Sequence, residues 1–497
     1  MGTIVPSLPL PALHQLSKSR FVAGHQCPKL LWWKVHEPDA VELQPGKVLQ
    51  DRFDQGAQVG ALARDLFAGG TRITGRHDDR RARIDATRAA MASGAPAVFE
   101  ASFVADDCFV AVDILLREGD GWRLIEVKSS SSQKEEHLID CAVQLHVVEA
   151  NGVRVTGVEV MHLHKECRHP DLSNLLTRTD VTDAVRMLLP TIPEQLQAQL
   201  TMLGGSLPTH TIGRHCAEPY DCAFTERCWP KDEDHISNLY NVGPAKTEKY
   251  MAEGVHSVWD IPPKKKLGDI EKRQLRAMKE KRLIVEPGLR EALEPFDCKL
   301  GFLDFETIQR AVPVWPGMAP WGQEAAQFSC HVARSDGGYD HYEFLAEGPE
   351  DCRPKLAEHM IEATSGCDGV VTYTHFEKTR IKALQQSVPH LAGELLELEN
   401  KLIDLFPVMK AHVYHPGFRG SFSLKYILTP LVPELTYSDL VIVDGLVASV
   451  EIARLLFVSG AVPESERDRV RGDLLRYCDR DTWAMVRLLE TVRELAH

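Results

Sequence analysis

No apolar run in this sequence is long enough to span a bilayer, so no membrane-crossing segment is expected. Met1 to Leu16 contains three prolines, no basic cluster ahead of its apolar part and no small-residue cleavage pattern, so a secretory leader is not expected either. The cytoplasm is the expected compartment. Internal repeats and low-complexity tracts are also missing, which leaves ordinary globular domains. Positive charge is in deficit: the formal net charge is −14, which argues against a surface coated with positive potential. Carboxylates gathered around metal ions add to that sum without repelling a polyanion once the ion is bound. The twelve cysteines are scattered too thinly for a disulfide framework in a reducing compartment, and suit core thiols plus one metal or cluster site.

At 497 residues the chain exceeds what one core organises, so an α/β protein of two or three domains is expected. Helical patterns fill Arg20 to Phe67. Strand-like runs follow at Ala97 to Val104, Cys108 to Leu116 and Trp122 to Ser129, then a helix from Glu135 to Ala150, a strand at Val153 to Leu163 and a helix from Val181 to Leu203. A cysteine-rich segment ending at Trp229 closes a first domain, residues 1–232. Ile236 to Pro263 reads as two short helices around the turn Asn241-Val242-Gly243-Pro244, with Gly254 ending the second. This unit looks like a helix-hairpin-helix and, with a basic connector, occupies residues 233–292. Its turn can present backbone N–H groups to a phosphate; a plain helical connector is the alternative. Basic residues crowd at Arg72 to Arg83 and at Lys264 to Arg282, either as solvated faces or as phosphate-contacting stripes. Residues 293–497 form a further α/β region, with strands at Leu300 to Phe305, Ala326 to Ala333, Tyr339 to Leu345 and Gly369 to Tyr373, a helix from Asp351, and helices to the end.

Cys108 to Ser130 reads as two strands joined at Gly119-Asp120-Gly121, a strong hairpin signal. Pairing Arg117 with Trp122, or Glu118 with Gly121, gives one register and sets Asp113 opposite Glu126. Alternation then puts Glu126 and Lys128 on one face, with opposed side chains about 5 Å apart. Two carboxylates so close repel each other unless a cation or a proton intervenes, which suggests a divalent metal, Mg²⁺ or Mn²⁺, with Lys128 orienting the attacking water. An exposed hairpin bearing ordinary charges is the plain alternative.

Within Lys299 to Thr307 an apolar strand carries Asp304 and Glu306 at i and i+2, on one face, where they can bind one metal jointly. Near the end of the chain Tyr477 and Asp481, at i and i+4 of a helix, also point one way. Glu377 follows the strand ending near Tyr373, and Asp404 is a spare acid. Cys216, Cys222 and Cys228 are evenly spaced, five residues between each, and Cys27, at the other end of the same domain in HQCPKLLWW, is the natural fourth thiol. Four thiolates satisfy an iron–sulfur cluster or zinc; free core cysteines are the remaining option. Cys108, Cys141, Cys167, Cys298, Cys330, Cys352, Cys367 and Cys478 read as packing thiols.

Asp113-x12-Glu126-Val127-Lys128, after Phe99-Glu100-Ala101 and before a helix carrying Gln144, resembles the PD-(D/E)XK nucleases of the RecB-like branch, with a restriction-endonuclease-like mixed sheet. Members carry a Gln on that helix, often with a Tyr four residues later; Gln144 matches and Val148 does not. The branch often has a histidine ligand in a GxxxH pattern where this chain reads Gly56-Ala57-Gln58-Val59-Gly60, and Glu100 is the candidate to compensate. One early cysteine plus a later trio resembles the iron–sulfur subset of these nucleases, including those of CRISPR adaptation, which implies a 4Fe–4S cluster on Cys27, Cys216, Cys222 and Cys228. Asp304, Glu306, Glu377 and the Tyr477-x-x-x-Asp481 pair resemble the DEDD exonucleases of RNase H-like fold with a tyrosine in the last motif, although Glu377 stands where Asp is usual and Thr374 where Asn often occurs. There Tyr477 would orient the nucleophile and four carboxylates would serve two metals. The order of domains is similar to RecB-like bacterial proteins with a C-terminal RNase H-like domain.

The resemblance implies a metal-dependent nuclease, an exonuclease acting on single-stranded DNA or duplex ends in repair or antiviral defence, working with a helicase or a defence-system partner. An RNA-acting exonuclease and a non-catalytic, cluster-bearing nucleic-acid scaffold are the rival expectations.

Overall fold

The structure, a computed structural model, describes residues 16–75, 79–458, 460 and 462–497. The stretch read for a secretory leader lies outside these residues except for Leu16, as does the 76–78 part of the first basic run. Two compact units make up the chain, residues 1–167 with 171–229 and residues 168–170 with 230–497, so the expected middle segment 233–292 belongs to the same unit as residues 293–497. Both units are mixed α/β. No helix among the described residues is long and apolar enough to cross a membrane.

The first unit is built on a seven-stranded sheet: β1 (Leu16–Ser17), β2 (Thr71–Arg72), β3 (Ala97–Ala105), β4 (Cys108–Glu118), β5 (Gly121–Lys128), β6 (Val155–Leu163) and β7 (Leu176–Asp180). Strands two to seven lie in sequence order, and β1 pairs with the start of β4. Its helices are α1 (Lys18–Gln26), α2 (Pro28–His36), α3 (Lys47–Asp65), α4 (Arg80–Ala92), α5 (Glu135–Ala150), α6 (Thr182–Leu188), α7 (Ile192–Leu203) and α8 (Thr225–Cys228). Antiparallel β3–β4–β5 give way to a parallel β5–β6 pair, with α5 as the crossover. Cys141, Ala142, Leu145 and Val148 of α5 share a core with Val112, Leu124, Val158 and Val160. Ala63 of α3 shares a smaller core with Phe99, Ile114 and Ile125. Each fully buried Val, Leu or Ile among them contributes about 1.5–3 kcal/mol. The helix expected from Val181 to Leu203 is interrupted at Leu189–Thr191, where Pro190 has no N–H to continue the ladder. Strand β7, with its polar sequence LTRTD, carries no alternation of apolar residues and was not expected.

In the second unit a five-stranded sheet runs in the order β11-β10-β9-β12-β13. The strands are β9 (Leu300–Gln309), β10 (Gln323–Ala333), β11 (Tyr339–Leu345), β12 (Gly369–Thr372) and β13 (Leu402–Asp404), beside a separate pair, β8 (Ile284–Val285) and β14 (Val413–Tyr414). β9 pairs antiparallel with β10 and parallel with β12. Helices α9 (Pro244–Ala252), α10 (Asp269–Glu280) and α11 (Leu289–Leu293) precede the sheet. After β11 come α12 (Arg353–Thr364), α13 (Phe376–Ser387), α14 (Ala392–Asn400), α15 (Phe406–His412), α16 (Leu424–Leu431), α17 (Gly445–Phe457) and α18 (Glu464–Leu495). Central β9 is covered on both faces, Phe302 packing into one core and Leu303 with Phe305 into another, so any charge on this strand needs a partner.

The helix-hairpin-helix expectation is met only in its second half. Ile236–Asn238 is a single 3₁₀ turn, too short to count as a helix, while α9 starts after Gly243 and is followed by Gly254 at φ +80°, the left-handed position that favours glycine. The basic stretch after it is partly internal. Arg273 is buried, with Nε donating to Glu286 at 3.0 Å and Nη1 to the Lys410 carbonyl at 2.9 Å, and Arg276 shares Glu286 at 2.6 Å. Arg273 therefore cannot contact phosphate, whereas Lys264, Lys266 and Lys279 are exposed.

Candidate functional site

In the first unit the hairpin register pairs Glu118 with Gly121 and Ile114 with Ile125, and continuing it by one residue sets Asp113 opposite Glu126. The alternation of β4 breaks there: Val112 and Leu115 face the larger core, while Ile114 between them faces the smaller one. Glu100, opposite Asp113 on β3, has φ +58°, a strained value for a side chain-bearing residue in a strand. Asp113 Oδ2 accepts the Val127 N–H at 2.8 Å, where a ladder bond would otherwise run. Asp113, Glu100, Arg64, Arg72 and the Gly56, Ala57 and Gly60 backbone line one cavity of about 240 Å³, so the segment lacking the expected histidine does meet the acids. Glu100 is also 3.7 Å from the Arg83 guanidinium.

Glu126 is almost fully buried, 1 % exposed, and both its oxygens are engaged. Oε1 receives the ammonium groups of Lys18 at 2.7 Å and Lys128 at 2.8 Å, and Oε2 receives Gln144 Nε2 at 2.8 Å. Lys128 also bonds Asp140, which lies one turn before Gln144 on α5. Burial pushes the Glu126 carboxyl up, but Lys128 and Lys18 outweigh it and hold the group well below its usual range. Burial, then repulsion by Glu126, raises Asp113 to about 7. A divalent ion bridging Asp113 and Glu126 would thus have to displace a lysine. Lys18 and Asp140 escaped the sequence reading; Asp140 left a signal, its i, i+4 spacing from Gln144, and Lys18 left none.

Of the cysteines in the first unit, Cys27, Cys216, Cys222 and Cys228 converge. Cys27 caps the N-terminus of α2, where the Lys29 and Leu30 N–H groups point at its sulfur. Burial, and then the neighbouring thiols Cys27, Cys216 and Cys228, push Cys222 up to about 11. All twelve cysteines are free thiols. Cys298, expected as a packing thiol, is exposed, its sulfur 3.7 Å from the Pro295 carbonyl. Around the four thiols Trp33 and Phe224 pack at 4.8 Å, Arg227 lies over both rings and pairs with Glu37 and Glu42, and Gln26 donates to the His215 and Tyr220 carbonyls. Side chains thus tie the two ends of the unit together. His210 and His215 were missed by the sequence reading. Their ring nitrogens and the Cys27 sulfur lie within 4.8 Å of one another, and His215 Nε2 is 3.6 Å from Cys216 Sγ. Thiols backed by imidazoles fit either an iron–sulfur cluster or zinc.

In the second unit Asp304, Glu306 and Asp481 offer carboxylate oxygens all within 4.8 Å of one another. Strand β9 supplies the first two, and α18 brings Asp481 and Tyr477 across. Burial raises all three acids, Asp304 to about 8 with Asp481 as the next cause. Glu377, in the first turn of α13, is hydrogen-bonded to Asp304 and is pushed up by burial and then by Asp304, so the two carboxyls share a proton. Its Oε2 is buried without a hydrogen-bond partner among the described residues. Burial and mutual repulsion thus favour a proton or a divalent cation among these carboxylates, and the orphaned oxygen fits such an ion.

Three further residues of this site were not read from the sequence. Lys425 Nζ donates to the Tyr477 hydroxyl and to the Val443 carbonyl, both at 2.7 Å. Tyr437 donates its hydroxyl to Asp481 Oδ1. Asp444 caps α17 beside Glu306. A cavity of about 300 Å³ opens onto the group, lined by Asp304, Asp481, Lys425, Thr374, Tyr373 and Phe406 among others. Asp404, the spare acid, has a different task. Its Oδ1 accepts the Thr374 and Phe406 N–H groups, each at 2.9 Å, and braces Thr374 at φ +87°.

The geometry defines, as a class, a protein with a buried carboxylate group suited to divalent cations. A family model described as a domain of unknown function (DUF2779) matches residues 301–423, from the strand bearing Asp304 and Glu306 to just before Lys425. The match includes Glu377 and excludes Lys425, Tyr437, Tyr477 and Asp481. No curated protein matches the chain.

Proposed function

We propose that the chain is a metal-dependent phosphodiester hydrolase acting on DNA, with a DEDD-type exonuclease centre in the second unit and a PD-(D/E)XK-type centre in the first. The observation that carries the reading is the gathering of Asp304, Glu306 and Asp481 on a central strand and a long helix, with Glu377 on Asp304 and Tyr477 alongside. The strand order β11-β10-β9-β12-β13, with acids on the central strand, is the arrangement an RNase H-like fold calls for. Asp304, Glu306, Glu377 and Asp481 would hold Mg²⁺ or Mn²⁺, which would supply Lewis acidity for attack by water. Tyr477, held by Lys425, would orient the attacking water, and Tyr437 fixes Asp481. Lys425 also sets one positive charge at a cavity whose other charged lining residues are Asp304 and Asp481, where a phosphate would enter. In the first unit, Cys27, Cys216, Cys222 and Cys228 would hold a 4Fe–4S cluster or zinc.

A second reading applies to the first unit alone. Glu126 already has two ammonium groups on it, so this centre is suited to holding nucleic acid without cutting it. One experiment separates the readings: cleavage of end-labelled single- and double-stranded DNA, and of RNA, by anaerobically purified protein with Mg²⁺ or Mn²⁺, comparing wild type with Asp113→Ala and Asp304→Ala. Loss of products in Asp304→Ala supports the second-unit centre, and a separate loss in Asp113→Ala supports two nucleases. Binding without metal-dependent cleavage by wild type defeats the hydrolase reading.

A further inference from the structure

Outside both centres, the sheet of the second unit carries a histidine pair. His331 on β10 lies directly opposite His341 on β11, so both side chains leave the same face, where α18 brings Asp479 over them. The rings stack with centroids 4.5 Å apart and planes at 23°. Each Nε2 lies 3.5 Å from Asp479 Oδ1, too far for a good hydrogen bond. With bonds of ~2.0–2.1 Å, tetrahedral zinc holds neighbouring ligand atoms ~3.4 Å apart, which these two separations match. All three ligand atoms lie within 4.8 Å of one another.

The surroundings orient the ligands. Thr482 Oγ1 lies 3.0 Å from the Asp479 carbonyl, to which it can donate, and 2.9 Å from His331 Nδ1, whose N–H it can then accept. In that tautomer the His331 Nε2 lone pair faces the Asp479 carboxylate at 3.5 Å, an arrangement that a cation between them turns from repulsive to attractive. A hydrogen bond on the far ring nitrogen is how ligating histidines are commonly held. Ser329 Oγ, 2.8 Å from Thr482 Oγ1 and 2.9 Å from His341 Nε2, tethers the second ring and is the contact an ion would replace.

We infer that His331, His341 and Asp479 form a zinc-type site with water as fourth ligand. Two imidazoles and one carboxylate favour Zn²⁺, Co²⁺ or Ni²⁺ over Mg²⁺. The bound ion pins the edge strand β11 to the helix that bears Tyr477 and Asp481. It is independent of the hydrolase reading, since none of its ligands belongs to either centre.

The test is a Co²⁺ titration of full-length, EDTA-stripped protein followed by visible absorption, in which nitrogen- and oxygen-ligated tetrahedral cobalt is distinct from thiolate-ligated cobalt. Wild type is compared with His341→Gln, Asp479→Asn and Asp304→Asn. Both site substitutions fall on side chains that are at least 29 % exposed, and matching near-ultraviolet circular dichroism in EDTA verifies their fold. The expected result is one equivalent of nitrogen- and oxygen-ligated cobalt, displaced by Zn²⁺, absent in His341→Gln, at least tenfold weaker in Asp479→Asn and retained in Asp304→Asn. Superimposable titrations of wild type and His341→Gln, or loss of the signal in Asp304→Asn alone, would overturn the inference and leave a stacked histidine pair without an ion.

Discussion

Replacing Asp304 by Asn should make the metal-free protein more stable while abolishing its hydrolytic activity. Asp304 sits on the central strand with its carboxyl raised from 3.8 to about 8, first by burial and then by Asp481. A group raised in the folded state contributes stability that is fully present below its unfolded pKa and is lost as pH rises through the folded one. The folded protein must therefore keep Asp304 protonated at pH 7 while the unfolded chain ionises it. The gap is roughly three units at about 1.4 kcal/mol each, a ceiling of about 4 kcal/mol, because the proton is shared with Glu377 and relaxation lowers the cost. Hydrogen exchange on peptides from β9 and α18 isolates the second unit from the rest of the chain. In EDTA, wild-type protection of these peptides should fall between pH 5 and pH 9, and Asp304→Asn should flatten that fall and raise protection at pH 8. Saturating Mg²⁺ should restore wild type and leave the variant unchanged. Equal or lower protection of Asp304→Asn at pH 8 in EDTA would refute the account of protons standing in for a cation.

Lys18→Ala should destabilise the first unit by about 1–3 kcal/mol in urea unfolding with EDTA, less than for a fully orphaned buried charge because Lys128 remains on Glu126, and Mn²⁺ should recover most of the loss. Tyr437→Phe removes the hydroxyl donated to Asp481 and should weaken Mn²⁺ binding or cleavage by about 10- to 100-fold, read by calorimetry and steady-state kinetics; unchanged values would remove Tyr437 from the site. Lys425→Met should lower the cleavage rate on the order of 100-fold with DNA binding retained, and Lys425→Arg should recover part of it.

The part of the first centre that lies within one hairpin was readable because strand alternation has a period of two and Gly119-Asp120-Gly121 limits the register. Once the loop is even, Asp113 must oppose Glu126. The same local logic put Asp304 and Glu306 on one face, and Tyr477 and Asp481 on one side of a helix. What local pattern could not supply were partners arriving from distant elements. Lys18 reaches Glu126 across 108 residues, and Lys425 reaches Tyr477 across 52. Neither is preceded by any motif. The His331–His341 pair depends on the register of an edge strand and on a helix that arrives much later in sequence. Composition misled in the opposite direction at Arg273, where a cluster of cations read as a surface stripe although one member is an internal strut for Glu286. At 181–203 the apolar period was right and Pro190 was underweighted.

The clasp around the four cysteines also sets a timetable for synthesis. Residues 26–33 and residues 215–228 meet through Gln26, Trp33 and Arg227, and strands β2 to β7 lie between them in sequence. As the chain emerges from its N-terminal end, β3, β4 and β5 can pair and bring Asp113 to Glu126 while Cys27 still waits for its companions. The thiol pocket is complete only after Cys228 has been made, so whatever all four thiols hold can be loaded only after the sheet of the same unit has been synthesised.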